Sequence, residues 1–91
     1  MSAKEKVNRV TVRIANDEYI IKGSAESGHI EKVASYVDLQ MKQFYMKNAQ
    51  LSPTKIAVLT ALNIADELLR LQEDYEALIK MLDENQMKKK S

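Results

Sequence analysis

The sequence has no cysteine, a single proline and two glycines among its 91 residues. Without cysteine the chain forms neither disulfides nor thiolate metal sites, and nothing in it marks a secreted protein. Residues 1–6 lack the apolar core of a signal peptide. No apolar run approaches the roughly 18 residues that cross a bilayer. We therefore expect a soluble, cytoplasmic protein with no membrane partner.

Groups that carry out chemistry are equally scarce. Gly23 and Gly28 belong to no phosphate-binding loop. His29 is the only histidine, so it has no second histidine or cysteine with which to bind a metal, and we expect it to be exposed or capping. The paired acidic residues between 66 and 84 fit a solvated helix face better than an acid–base site. The sequence predicts no enzyme, no small-molecule substrate and no cofactor or metal site.

The length and the charge distribution further restrict the class of protein. A chain of 91 residues makes one domain. If a long helix takes over a third of it, about 50 residues remain for a globular part, near the lower limit for independent stability. Association would supply the missing buried area, so we expect an obligate oligomer. The net charge is +1, but residues 56–87 hold two basic and seven acidic residues and should repel nucleic-acid phosphates.

Alternating residues predict a β-hairpin over residues 8–22, with a turn in which Asn16 or Asp17 adopts positive φ. A hairpin is not stable alone, so its apolar side needs a helix. That helix is predicted from about residue 27 to 46. Its apolar stripe recurs at steps of three and four residues: Ile30, Val33, Ala34, Val37, Met41 and Phe44.

A long helix is predicted over residues 52–88, opening with Ser52 as N-cap and Pro53 at the first helical position. Its heptad spacing favours a coiled coil. The predicted oligomerisation residues are Ala61, Ile64, Leu68, Leu71, Tyr75, Leu78, Ile79 and Leu82. The fold class is therefore α+β in the order β-β-α-α, with a small globular head over residues 1–51 and a basic tail over 89–91.

The first half of the long helix is apolar on a second side as well, because Leu59, Leu62 and Leu69 lie off the heptad seam. We expect this half to pack on its own head and on a partner helix, and the second half to meet only a partner. The residues predicted to hold the head together are Val10, Val12, Ile14, Val33, Val37, Leu59 and Leu62.

The segment Lys55–Leu68, with its core Ala61-Leu62-Asn63-Ile64, resembles the signature of the ZapA family of bacterial cell-division proteins. The run Ile30–Asp38 and the hairpin ending Tyr19-Ile20-Ile21 resemble the short, Gram-positive branch of that family. The likeness extends from about residue 9 to 86, nearly the whole chain.

This resemblance implies a non-enzymatic adaptor. ZapA proteins bind FtsZ, the tubulin-like GTPase of the division ring, and cross-link or bundle its protofilaments to promote Z-ring assembly. They form homodimers, and two dimers can join into a tetramer through their coiled coils. The expected partners are thus a second copy of the chain and FtsZ filaments, and the expected location is the mid-cell division septum.

The family's filament contacts are attributed to charged residues of the heads. Proteobacterial members carry basic residues where this chain has Asp17 and Glu18, so their contact residues are not carried over. This sequence offers four candidates of its own: Arg9, Arg13, Lys42 and Lys47.

Two interpretations of the basic hairpin stay open. Arg9, Arg13 and Lys22 would share its solvent side, where they either protect the strand edge or dock an acidic partner. An alternative function from another class is a dimeric nucleic-acid-binding regulator that reads DNA with this hairpin as a β-ribbon. The low net charge and the acidic long helix count against it.

Overall fold

The computed structural model describes residues 7–90, with side chains from residue 7 to 85. The elements, in order, are strands β1 (Asn8–Ile14) and β2 (Asp17–Gly23) and helices α1 (Ser27–Lys47) and α2 (Pro53–Lys90). The predicted α+β class and the order β-β-α-α are confirmed. Residues 1–6, to which the signal-peptide argument applies, lie outside the described residues, as do Ser91 and the side chains of the predicted basic tail.

The two strands pair antiparallel and are joined by a tight turn. Ala15 and Asn16 connect them with φ angles of 53° and 72°. Positive φ at both central residues is the turn pattern whose twist matches a hairpin. Positive φ is thus confirmed for Asn16, whereas the second such residue is Ala15 and not Asp17, because Asp17 already pairs with Ile14 in the sheet.

A small core lies between β1 and α1. Val10 and Val12 are buried against Ile30 and Ala34, and Ile14 packs beside them. The apolar face of β1 and the apolar stripe of α1 thus meet as their periodicities require. By contrast, residues 17–22 of β2 are exposed, so α1 supports mainly one strand of the hairpin.

Two residues predicted to hold the head together are exposed in the single chain. Val33 is 48% exposed and Leu62 is 62% exposed, so their assignment to this core is wrong. Val33 lies about 100° around the helix from Ala34, and burying Ala34 therefore turns Val33 outward. The remaining members are buried or half-buried: Val10, Val12, Ile14, Val37 and Leu59.

The start of α2 has the predicted cap. Ser52 Oγ accepts a hydrogen bond from the Lys55 N–H at 3.2 Å, and the Ser52 carbonyl accepts one from the Ile56 N–H at 3.0 Å. Pro53 takes the first helical position, where no donor is needed. Ile56 is fully buried and Thr60 is 3% exposed. A first compact unit accordingly ends at Thr60, and residues from 61 onward form a second.

Replacing Ala15 by glycine should stabilise the chain. Glycine reaches a φ of 53° without the steric cost that a Cβ imposes there. This relief exceeds the added entropy of the unfolded chain, so we expect the free energy of unfolding to rise by about 0.5 kcal/mol. Urea unfolding followed by circular dichroism measures the change. The control Ala49→Gly, at a residue without positive φ, should bring no gain; a loss at both positions would contradict strain at Ala15.

Candidate interaction surfaces

The side of the hairpin turned away from α1, which we call the outer face, carries three cross-strand pairs. These pairs are Arg9 with Lys22, Thr11 with Ile20, and Arg13 with Glu18. Strand alternation places all six side chains opposite the buried face of β1. The register therefore gathers three basic side chains on one surface of the hairpin.

Arg13 is held by its own hairpin. Its Nη2 lies 3.5 Å from Glu18 Oε2, and its Nη1 donates a hydrogen bond to the Asn16 carbonyl at 3.2 Å. Both ion-pair side chains are more than 60% exposed, at 63% and 65%, so the pair contributes little stability. Its effect is to neutralise Arg13 and fix it beside the turn.

Arg9 and Lys22 differ from Arg13, which is paired with Glu18. Among the residues that the structure describes, neither side chain forms an ion pair. They nevertheless lie directly opposite each other on the outer face. Like charges in a cross-strand pair repel, and among the described residues no acidic side chain forms an ion pair with either cation at this end of the hairpin.

Asp38 of α1 fastens the hairpin turn to the helix. Its Oδ1 accepts a hydrogen bond from the Ala15 N–H at 2.8 Å, and its Oδ2 lies 3.0 Å from the Lys42 ammonium. The Ala15 N–H, followed by Lys42, holds the pKa of the Asp38 carboxyl below its usual value of 3.8. We call this arrangement the turn clamp. Sequence reasoning missed it, since no local pattern links residues 23 positions apart.

The four candidate contact residues do not form one patch. Arg9 and Arg13 lie on the outer face, whereas Lys42 and Lys47 belong to α1, which packs against the other face of the sheet. Lys42 is engaged in the turn clamp, and Lys47 lies in the last turn of α1. The sequence alone cannot separate the two pairs, because their separation depends on how α1 meets the hairpin.

The head also has an apolar groove of about 200 Å³. It is lined by Ile14, Ile21, His29, Ile30, Val33, Ala34 and Val37. His29 is exposed and is the only polar side chain of this lining. The groove therefore suits an apolar side chain better than a metal or a charged ligand.

The predicted oligomerisation residues of α2 are largely uncovered in the single chain. Leu71 is 67% exposed and Tyr75 is 63% exposed, and Leu68, Leu78 and Leu82 are each just over half exposed. Ile79 is 41% exposed, Ala61 is exposed and Ile64 is half-buried. Val58 and Leu69, which lie off this seam, are 54% and 55% exposed. A helix with so much exposed apolar surface is typical of a protein-interaction site.

Two other kinds of site are absent among the described residues. No group of three histidine, cysteine, aspartate or glutamate side chains there is placed to hold a metal ion. Among the same residues, no helix combines the length and the apolar character that a bilayer span requires.

Comparison with known proteins identifies the family of this chain. The family model described as cell division protein ZapA matches residues 10–90. The chain belongs to the ZapA family. The resemblance seen in the sequence is thereby confirmed, and the matched residues include the turn clamp, the seam and all of the outer face except Arg9.

Individual ZapA relatives support this family assignment. The cell division protein ZapA of Shouchella clausii is 45% identical over 76 residues, which cover 84% of this chain and 97% of that protein. The ZapA of Geobacillus kaustophilus is 47% identical over 74 residues, 81% of either chain. A solved structure described as a ZapA mutant dimer from Geobacillus stearothermophilus matches with a TM-score of 0.71 at 40% identity, covering 91% of this chain and 96% of that one.

Removing the charge of Asp38 should loosen the turn clamp in a pH-dependent way. The folded-state pKa is lowered, so the carboxylate's stabilisation is present above the unfolded pKa near 3.8 and is lost as pH falls through the folded pKa. Asp38→Asn should therefore reduce the free energy of unfolding at pH 7 by about 1 kcal/mol, and the difference from wild type should vanish in acid. Urea unfolding between pH 7 and about 2.5 tests this.

The matched control is Lys42→Met, which removes the ion pair and keeps the bond to Ala15. Because the Lys42 side chain is 57% exposed, we expect a cost below about 0.5 kcal/mol. If the difference between wild type and Asp38→Asn did not depend on pH, the carboxylate charge would not be its source.

Proposed function

We propose that this chain is a non-enzymatic cell-division adaptor that self-associates, binds FtsZ filaments and bundles them at the division septum. The observation that carries the proposal is the exposed heptad seam of α2 in a chain of the ZapA family. The seam supplies a way to join copies, and the head supplies charged side chains for a filament contact. A protein with both features can connect two filaments without an active site.

Self-association rests on apolar surface that one copy leaves exposed. The Geobacillus stearothermophilus relative is described as a dimer, which supports a homodimer here. In a two-fold pair, the heptad seams would bury one another. Val58 and Leu62 off the seam, and Val33 in the apolar groove, are exposed as well and add to the apolar surface that a second copy would cover. Pairing of two such dimers through the ends of their coils would give the tetramer.

Bundling follows from the number of heads. A head that binds a filament weakly becomes an effective cross-linker when two or four heads share one assembly, because each further contact is intramolecular. The candidate contacts are Arg9, Arg13, Lys42 and Lys47. Electrostatic attraction through these residues would favour an acidic filament surface and weaken with salt.

Co-sedimentation tests the proposal directly. Mixed with FtsZ and GTP, the purified protein should enter the pellet with the filaments and increase light scattering, and with GDP it should do neither. Light scattering coupled to gel filtration establishes its oligomeric state in parallel. A stable oligomer that stays in the supernatant with GTP would exclude the filament-binding role.

Breaking the seam should separate binding from bundling. Leu71→Glu combined with Leu78→Glu places charges in the middle of the proposed coil, so the assembly should become smaller. Single heads should still co-sediment with FtsZ, but the increase in light scattering should disappear. Sedimentation equilibrium gives the mass, and an unchanged mass would contradict the seam assignment.

The control for this experiment keeps the change in charge and moves it off the seam. Ala77→Glu with Lys80→Gln alters the net charge by the same two units at exposed positions of α2. Neither residue belongs to the predicted seam. This variant should retain the wild-type mass and bundle filaments normally.

A further inference from the structure

The outer face is unevenly charged along its length. At one end Arg13 is neutralised by Glu18, and at the other Arg9 faces Lys22 without an acid among the described residues. The two ends lie four residues apart on β1, about 13 Å at the spacing of a strand. The repulsion between Arg9 and Lys22 costs stability in the isolated head, and a negatively charged partner would relieve it.

Between these ends lies an exposed apolar side chain. Ile20 is 66% exposed and is paired with Thr11 across the strands. A single exposed isoleucine is ordinary on a protein surface. Its setting here is not, because it stands beside two cations that form no ion pair among the described residues. An apolar centre with a charged rim is the usual anatomy of a binding patch.

We propose that the outer face docks an acidic segment of a partner protein that also presents an apolar side chain. Ile20 contacts the apolar side chain, and Arg9 and Lys22 bind carboxylates beside it. This inference rests on the proposed function, since it names the part of the head that meets the filament. It also reduces the four candidate contacts to Arg9 and adds Ile20 and Lys22.

The other three candidate contact residues are either paired already or lie away from the outer face. They are Arg13, Lys42 and Lys47. Arg13 bonds to the turn and to Glu18, and Lys42 belongs to the turn clamp. Lys47 is on α1, which lies against the opposite face of the hairpin. A partner seated on Ile20 would therefore meet Arg9 and Lys22, the cations of this face that form no ion pair with any residue the structure describes.

The same chemistry disfavours nucleic acid as the occupant. Duplex DNA is bound through many phosphate contacts, about six to ten in a typical complex, whereas this face offers two cations, Arg9 and Lys22, without an ion pair in the described part of the chain. It also places Ile20 at the centre and the Glu18 carboxylate at the rim. An acidic protein surface with an apolar side chain satisfies the two cations and Ile20, while Glu18 keeps its ion pair with Arg13.

The test uses two variants of the full chain. Ile20→Thr keeps a β-branched side chain and so preserves strand preference, while it removes most of the apolar contact. Arg9→Gln with Lys22→Gln removes the cations and also their mutual repulsion. The melting temperature of this second variant should equal or exceed that of wild type, which separates a lost contact from a lost fold.

The measurement is co-sedimentation with FtsZ filaments over a range of concentrations and of salt. Ile20→Thr should raise the half-saturating concentration about tenfold. The Arg9→Gln and Lys22→Gln variant should bind more weakly and lose most of its salt dependence. Two controls on exposed residues of α1, Met46→Gln and Lys32→Gln, should bind as wild type does.

Several results would overturn this inference. If wild type binds filaments and both outer-face variants bind equally well, the outer face is not the contact and the adaptor proposal survives. If wild type binds no filaments, both proposals fail. A reduced oligomer mass in Ile20→Thr would make the face a contact between copies, and salt-sensitive binding of duplex DNA that the charge variant abolishes would assign it to nucleic acid.

Discussion

The contact between α1 and β1 is the interaction on which the head depends. Within the described residues its buried cluster consists of Val10, Val12, Ile30 and Ala34. Ordering a chain costs about 1 kcal/mol or more per residue, and a cluster of this size offsets little of that at about 25 cal/mol per Å². The heptad seam meanwhile remains exposed. A core too small for the chain and a large uncovered apolar surface are the physical reason for proposing that association completes the fold.

Strand alternation alone gives the hairpin two chemically different faces. One face of β1 meets α1, and the apolar groove opens on this side through Ile21 and Val33. The outer face carries the charged pairs and Ile20. Because successive residues of a strand point to opposite sides, the contacts proposed with a second copy and with a filament would use different side chains of the hairpin.

Periodicity made much of this fold predictable. Alternation located the hairpin, steps of three and four residues located both helices, and Ser52 with Pro53 located the start of α2. Contacts between distant segments were not predictable. The bond from Ala15 to Asp38 depends on how α1 meets the turn, and the difference between Arg9 and Arg13 depends on the strand register. Periodicity also cannot tell an apolar side chain that its own chain buries from one that its own chain leaves exposed. The sequence therefore predicts Leu62 in the head core, although Leu62 is exposed.

The turn clamp has a consequence for how such heads diverge between species. Asp38 binds the main-chain N–H of residue 15, and every amino acid except proline offers that group. The clamp therefore does not restrict the side chain at position 15. Only the positive φ restricts it. The residues of the turn can change among small and amide-bearing amino acids while the hairpin keeps its contact with α1. Family members can thus differ in the sequence of the turn and still share the geometry of the head.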